Sequence, residues 1–358
     1  MKKMKRAVTA MMAVAGCLMM LGGCGTKSPG TGTDETVPAG AKEVTGREEG
    51  ATDEAVVRVG ALKGATTMGL VKLMEENETG DCAGRYAFTM VTAADELTAL
   101  VAGGKVDIAL LPANVAAILY RKTEGAVSVI DINTLNVLYL VSANDSISSI
   151  EDLKGKRVYL PGKGTTPEYA LRYLMDAAGL SDEDVALEFR TEATEVASIL
   201  AENPLAVGLL PQPFAASALL QNEALSPVLD LGQAWRDCQG SEHAGRLVTG
   251  VTIVQNEFLF AHPTQVDLFL KEHEASIRFV KDNTEESAEL IEKAGIVAKA
   301  AVAQKALPYC NIDFLSGAEM KEALGGYLAV LYAQNPAAVG NALPDDDFYY
   351  MPRQGASN

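Results

Sequence analysis

Lysine, glycine and threonine recur in two short stretches whose order could hold a small anion or a polar ring. Lys63-Gly64-Ala65-Thr66 and Gly162-Lys163-Gly164-Thr165-Thr166 each lie between an apolar run and a helical pattern. A Gly/Thr loop leading from a strand into a helix leaves the first helical amides unpaired and adds the positive end of the helix dipole. Such a junction suits a carboxylate, sulfonate, phosphate or polar ring substituent. Capping accounts for part of the second stretch, since Thr165 with Glu168 fits a capping box and Pro167 is a favoured first-turn residue. It leaves Gly162, Lys163 and Gly164 over, and these permit close approach to the backbone.

A second pair of candidates follows two Leu-Leu-Pro turns: Pro112, Ala113 and Asn114, then Pro211, Gln212, Pro213 and Phe214. Asn114 and Gln212 can each donate and accept, and ligands of open α/β sheets bind at the carboxyl ends of strands. Phe214 and Trp235, the single tryptophan, either stack on a flat ligand or fill a core. Thr249-Gly250 reads as a hinge or a cleft contact. Metal or Cys/His chemistry has no such support. The only imidazoles are His243, His262 and His273, and no C-x-x-C or H-E-x-x-H spacing occurs, so no metal and no cofactor are expected. Cys82, Cys238 and Cys310 read as buried small hydrophobes or one incidental disulfide. The run Asp345-Asp346-Asp347 reads as solvated surface, because a calcium loop needs a Gly and a later Glu at fixed spacing.

The elements that must position these residues alternate. Apolar runs at 56–59, 86–91, 106–111, 127–132 and 137–141 read as strands, with helical spacing at 68–75, 97–102 and 115–121 between them. A second set follows, with strands at 157–160, 186–189, 206–210 and 227–231; beyond 247–254 the pattern is almost wholly helical to residue 334. Alternation of this kind predicts an α/β fold of two lobes, each a mostly parallel sheet with flanking helices, and a helical C-terminal third. The two sets echo each other: the Lys-Gly-x-Thr stretches are offset by 100 positions and the Leu-Leu-Pro turns by 99.

The N-terminus has its own logic. Lys2, Lys3, Lys5 and Arg6 precede an uncharged stretch at 7–21, the pattern of a secretory signal peptide and short of the roughly 20 residues of a spanning helix. Leu21-Gly22-Gly23-Cys24 resembles a bacterial lipobox, which implies cleavage after residue 23 and lipidation of Cys24. Residues 24–54 then form a polar tether without apolar periodicity. Removing residues 1–23 moves the formal charge from −17 to −21, so nucleic acid and anionic headgroups are not expected partners.

Three groups of residues together resemble a known family. Val57-Arg58-Val59-Gly60 with Gly64 comes first, then Val106-Asp107-Ile108-Ala109 with Pro112. The third is Ile150-Glu151-Asp152-Leu153-Lys154-Gly155-Lys156 leading to Gly162-Lys163-Gly164-Thr165. They are similar to periplasmic-type solute-binding proteins of the nitrate, sulfonate, taurine and thiamine-pyrimidine class. The resemblance implies a type II periplasmic-binding-protein fold with lobe one from 55–143 and 248–358 and lobe two from 144–247. It also implies a monomer that delivers a small molecule to an ABC permease and ATPase, with Lys63 to Thr67, Pro112 to Asn114, Gly162 to Thr166 and Pro211 to Phe214 around the ligand. Relatives often have Glu-Pro where this chain has Gln212-Pro213. Two alternatives are a sensing subunit for a membrane receptor and, more remotely, an enzyme like the pyrimidine synthases, which need a Cys-rich motif and an active-site His.

Overall fold

Short, largely apolar runs make two sheets. The computed structural model describes residues 55–239 and 245–352; the expected signal peptide, Cys24 and tether lie outside them. The strands are β1 (Val57–Leu62), β2 (Tyr86–Val91), β3 (Ile108–Pro112), β4 (Val127–Thr134), β5 (Leu138–Ser142), β6 (Arg157–Pro161), β7 (Ala186–Arg190), β8 (Val207–Pro211), β9 (Ser226–Asp230), β10 (Gly250–Gln255) and β11 (Ile312–Leu315). Helices α1 (Ala65–Met68), α2 (Val71–Thr79), α3 (Ala94–Ala102), α4 (Ala113–Lys122), α5 (Thr166–Ala177), α6 (Ala193–Glu202) and α7 (Phe214–Gln221) fall between the strands. The rest are α8 (Leu231–Gln239), α9 (Asn256–Ala261), α10 (Pro263–Asp282), α11 (Thr284–Lys293), α12 (Ala300–Ala306) and α13 (Gly317–Gln334).

The six-stranded sheet runs β11-β4-β10-β3-β1-β2 and the five-stranded sheet β7-β6-β8-β5-β9. In each, two parallel pairs continue into antiparallel neighbours, because one strand, β10 or β5, is threaded in from elsewhere in the chain. Setting that strand aside, β6, β7, β8 and β9 occupy the places of β1, β2, β3 and β4. They begin 100, 100, 99 and 99 residues later, so the echo between the two loop motifs extends to whole sheets.

The sheets are mixed rather than mostly parallel, because β10 and β5 run antiparallel to their neighbours, and three further features differ from the sequence reading. The run at 137–141 was expected in the first lobe, yet β5 hydrogen-bonds to β8 and β9. The chain therefore crosses between sheets at Leu135-Asn136-Val137 rather than near Ala143. Asn136 fixes this crossing: its Oδ1 accepts from Leu138 N at 2.9 Å and its Nδ2 donates to Asp230 at 2.8 Å. The helix expected at 68–75 is two, α1 and α2, broken at Gly69, where a Cβ would lie 2.8 Å from Ile277 Cγ1. The C-terminal third also contains a four-residue edge strand, β11.

Packing follows from amphipathic spacing. α10 starts with Pro263 in its first turn and buries Val266, Phe269, Leu270, His273, Ser276, Ile277 and Val280, the stripe of a helix laid on a sheet. The main core takes Val129 and Ile132 from one sheet and Leu140 and Leu160 from the other, joined by Trp235, Tyr327 and Leu328. The three aspartates are exposed, as expected of solvated surface, and make contacts there: Asp345 pairs with Arg121 at 3.1 Å, Asp346 with Lys321 at 2.8 Å, and Asp347 accepts from the Tyr120 hydroxyl.

Candidate functional site

The Lys63 to Thr66 loop leaves the carboxyl end of β1 and opens α1. Gly64 has φ 154° and no side chain caps the helix, while the Thr67 hydroxyl turns back to donate to Leu62 O. Pro112 ends β3 beside β1, and Gly250 pairs with it across the antiparallel β3·β10 ladder. Ala113 N donates to Thr249 O at 3.0 Å, and Thr249 N to Thr134 O at 3.0 Å. A Cβ on Gly250 would overlap Thr66 Cγ2 and lie 2.5 Å from Asn133 Oδ1. Lys63, Gly64, Ala65, Thr66, Pro112, Ala113, Thr249 and Gly250 thus gather at one end of the six-stranded sheet. The Thr249 hydroxyl oxygen there is buried and has no hydrogen-bond partner among the described residues.

The corresponding end of the five-stranded sheet gathers Gly162 to Thr166 after β6 with Pro211 to Phe214 after β8. Its amides are not equivalent to those of the first loop. Glu168 Oε2 accepts from Gly164 N at 2.6 Å, and Glu168 Oε1 from Arg172 Nε at 2.8 Å. The carboxylate is buried and reaches Gly164 rather than Thr165, so the expected capping box of Thr165 with Glu168 does not form. Thr165 does not cap; its hydroxyl donates to Gly162 O. Gly162 and Gly164 are needed for their left-handed φ of 74° and 76°, and a Cβ on Gly164 would meet nothing within 4 Å.

Several predicted residues have internal duties. Asn114 is buried, with Nδ2 3.5 Å from Ala338 O. Gln212 is buried, its Oε1 accepts from Ala216 N at 3.1 Å and so caps α7, and the Gln212-Pro213 peptide is cis. Thr166 is buried, 3.2 Å from the Tyr327 hydroxyl, a neighbour that nothing near residue 166 in the sequence announces. Trp235 is fully buried between Tyr173 and Tyr327, with ring centroids 4.3 and 5.9 Å away, and is core rather than a stacking face. Phe214 stands partly exposed at the start of α7.

Ala65 of the first loop and Ala216 of α7 belong to one apolar cluster with Met68 and Val137. The lysines lean on different neighbours. Lys63 Nζ lies 3.9 Å from where a Cβ on Gly295 would sit, and Lys163 Nζ stands 5.5 Å from the Phe189 ring centre. Cavities of about 390, 570 and 350 Å³ lie beside Leu135 and Asn311, between α5, α8 and β9, and between α5 and the end of α13, respectively. None of these three is lined by the predicted loop residues. The thiols are not poised as nucleophiles: burial pushes Cys310 up to about 12 and raises Cys82 and Cys238 as well.

Solved structures share this architecture. An ABC transporter protein from Parabacteroides distasonis is 23% identical, with a TM-score of 0.68, over 84% of this chain and 99% of that one. The periplasmic aliphatic sulphonate binding protein SsuA of Escherichia coli is 17% identical, with a TM-score of 0.66, over 86% of this chain and 95% of that one. A Candida albicans protein described as having the generic periplasmic binding protein structural fold is 13% identical, with a TM-score of 0.51, over 82% and 93%. The chain has that two-sheet periplasmic-binding-protein fold. No curated protein matches it. The family model described as NMT1/THI5 like matches residues 89–287, more than half of the 358, and the chain belongs to that family.

Proposed function

We propose that the chain is the extracytoplasmic solute-binding protein of an ABC-type importer, held to the membrane by lipid on Cys24, and that it performs no chemistry on its solute. The observation that carries this reading is the duplicated placement of the loops: Lys63 to Thr66 follows β1, Gly162 to Thr166 follows β6, and β1 and β6 occupy the same position in sheets of the same strand order. Ligands of open α/β sheets bind beyond the carboxyl ends of such strands.

The solute then lies among Lys63, Gly64, Thr66, Pro112, Lys163, Gly164, Thr165, Pro211 and Phe214, with Thr249 and Gly250 at its side. Asn114 and Gln212 contribute by holding the turns, because their polar groups are engaged internally. The unpartnered Thr249 hydroxyl supplies a donor or acceptor that gains a partner when solute is bound. Three structural relatives are named as sulfonate-binding proteins, which puts small sulfonates first among the candidates; nitrate, taurine, thiamine and pyrimidines follow. The permease and ATPase are the partners in this reading.

The test is a melting-temperature series on the mature protein with each of these compounds. A bound solute at about 100 times its Kd adds about 2.7 kcal/mol to stability. A rise with one compound and not with the others is expected; a flat series across all of them contradicts the reading.

A further inference from the structure

We propose that Ser276 and His273, one turn apart on the buried face of α10, are positioning residues for the loop at Lys63 to Thr67; as a statement about solute binding this rests on the function proposed above. Ser276 stitches the break between α1 and α2. Its hydroxyl donates to Gly69 O at 2.7 Å and accepts from Leu73 N at 3.1 Å. It thereby satisfies a carbonyl at the end of one helix and an amide at the start of the next, groups that the break would otherwise leave buried and unpaired. Ile277 presses on the same joint closely enough that only glycine fits at 69.

His273 acts on the other wall of the loop through a chain of buried side chains. Its Nδ1 lies 3.3 Å from Asp131 Oδ2, and the Thr252 hydroxyl donates to Asp131 Oδ1 at 2.8 Å. Asn133 Nδ2 donates to Thr252 Oγ1 at 3.1 Å, and the Thr134 hydroxyl to Asn133 Oδ1 at 2.9 Å. That same Asn133 oxygen, with Thr66 Cγ2, fills the space over Gly250. With the ring hydrogen on Nδ1, His273 donates to Asp131 Oδ2. Nε2 then has no partner among the described residues, with the Phe269 and Phe314 rings beside the imidazole. His273, Asp131 and Thr252 have no exposed surface. A buried carboxylate of this kind costs stability that an apolar pair in the same volume would not, and its best-attested use is to fix one register. Here the register is that of the ends of β4 and β10 against which Thr66 packs.

Hydrogen exchange on the full mature chain tests this without any solute. In Ser276→Ala the amides of Thr67 and Leu70, which bond to Gly64 O and Thr67 O, are expected to exchange about tenfold faster, the loss of one hydrogen bond. The β1·β2 ladder amides are expected to stay unchanged, whereas a general loss of stability would raise both sets in step. His273→Asn, which keeps a donor toward Asp131, is expected to exchange at Thr67 like the parent, and His273→Leu faster. Exchange at Thr67 and Leu70 unchanged in folded Ser276→Ala, or rising only in step with the ladder, overturns the proposal. Titration with ethanesulfonate is the second arm. If the parent binds it, Ser276→Ala is expected to bind about tenfold more weakly, and equal affinity overturns the positioning role. If the parent binds none of the candidate solutes, the solute-binding reading fails while the exchange result still decides the clamp.

Discussion

Glu168 accepts a 2.6 Å hydrogen bond from Gly164 N, so the first amide that a solute anion would seek on the second loop already faces a carboxylate of the chain itself. The counterpart 100 positions earlier is Met68, buried in an apolar cluster, so the two loops that look alike in sequence differ in charge. Glu168→Gln keeps an acceptor and removes the charge that favours a helix N-terminus and pairs with Arg172. It is expected to lower stability by about 1 kcal/mol, seen as a lower melting temperature, and to strengthen binding of ethanesulfonate measured by calorimetry. Unchanged values of both would show that the carboxylate plays no part in the loop.

Gly164→Leu separates folding from binding. A Cβ at this position meets open space, so the folding cost is that of the left-handed backbone, about 1–2 kcal/mol. The bulk then projects where the solute would approach, and affinity is expected to be lost while the circular dichroism spectrum is kept. Affinity retained by the folded variant would remove this loop from the site.

Gly250→Ala probes the opposite case, a position with no room. The new Cβ would crowd Thr66 and Asn133, and overpacking of this kind costs about 1–3 kcal/mol. Thr66→Ser removes the methyl it strikes, so denaturant titration of the double variant is expected to recover part of the loss. Strict additivity of the two substitutions would show that Thr66 and Gly250 are not coupled.

The pH dependence has one well-defined contributor outside the site. Hydrogen bonds from Ser181 and the Lys154 ammonium hold Asp184 down to about 2. Its folded value lies below the unfolded one, near 3.9, so its contribution is complete above about pH 4 and is lost as the pH falls toward about 2. A carboxyl-carbon NMR titration should show this midpoint, and Lys154→Ala should raise it.

Much of the fold was legible because its signals are local. Alternating strands and helices, and the recurrence of Lys-Gly-x-Thr and Leu-Leu-Pro at nearly one spacing, follow from periodicity and turn chemistry. The crossing between sheets was misplaced because only three residues separate β4 from β5, and only long-range pairing assigns β5 to β8 and β9. β11 was missed because four residues at a sheet edge carry too little pattern. The two Gly/Thr loops follow strand ends as their sequence suggests, but the engagement of Asn114 with Ala338, of Thr166 with Tyr327 and of His273 with Asp131 depends on partners more than 140 positions away.

The central claim is that the two loops serve one small solute. Native mass spectrometry of the freshly purified mature protein, followed by release and identification of whatever it holds, tests this most directly. The account predicts one small molecule per chain, removable by denaturation, whose re-addition raises the melting temperature. Protein that carries none, and whose melting temperature no sulfonate, nitrate, taurine, thiamine or pyrimidine alters, would contradict it.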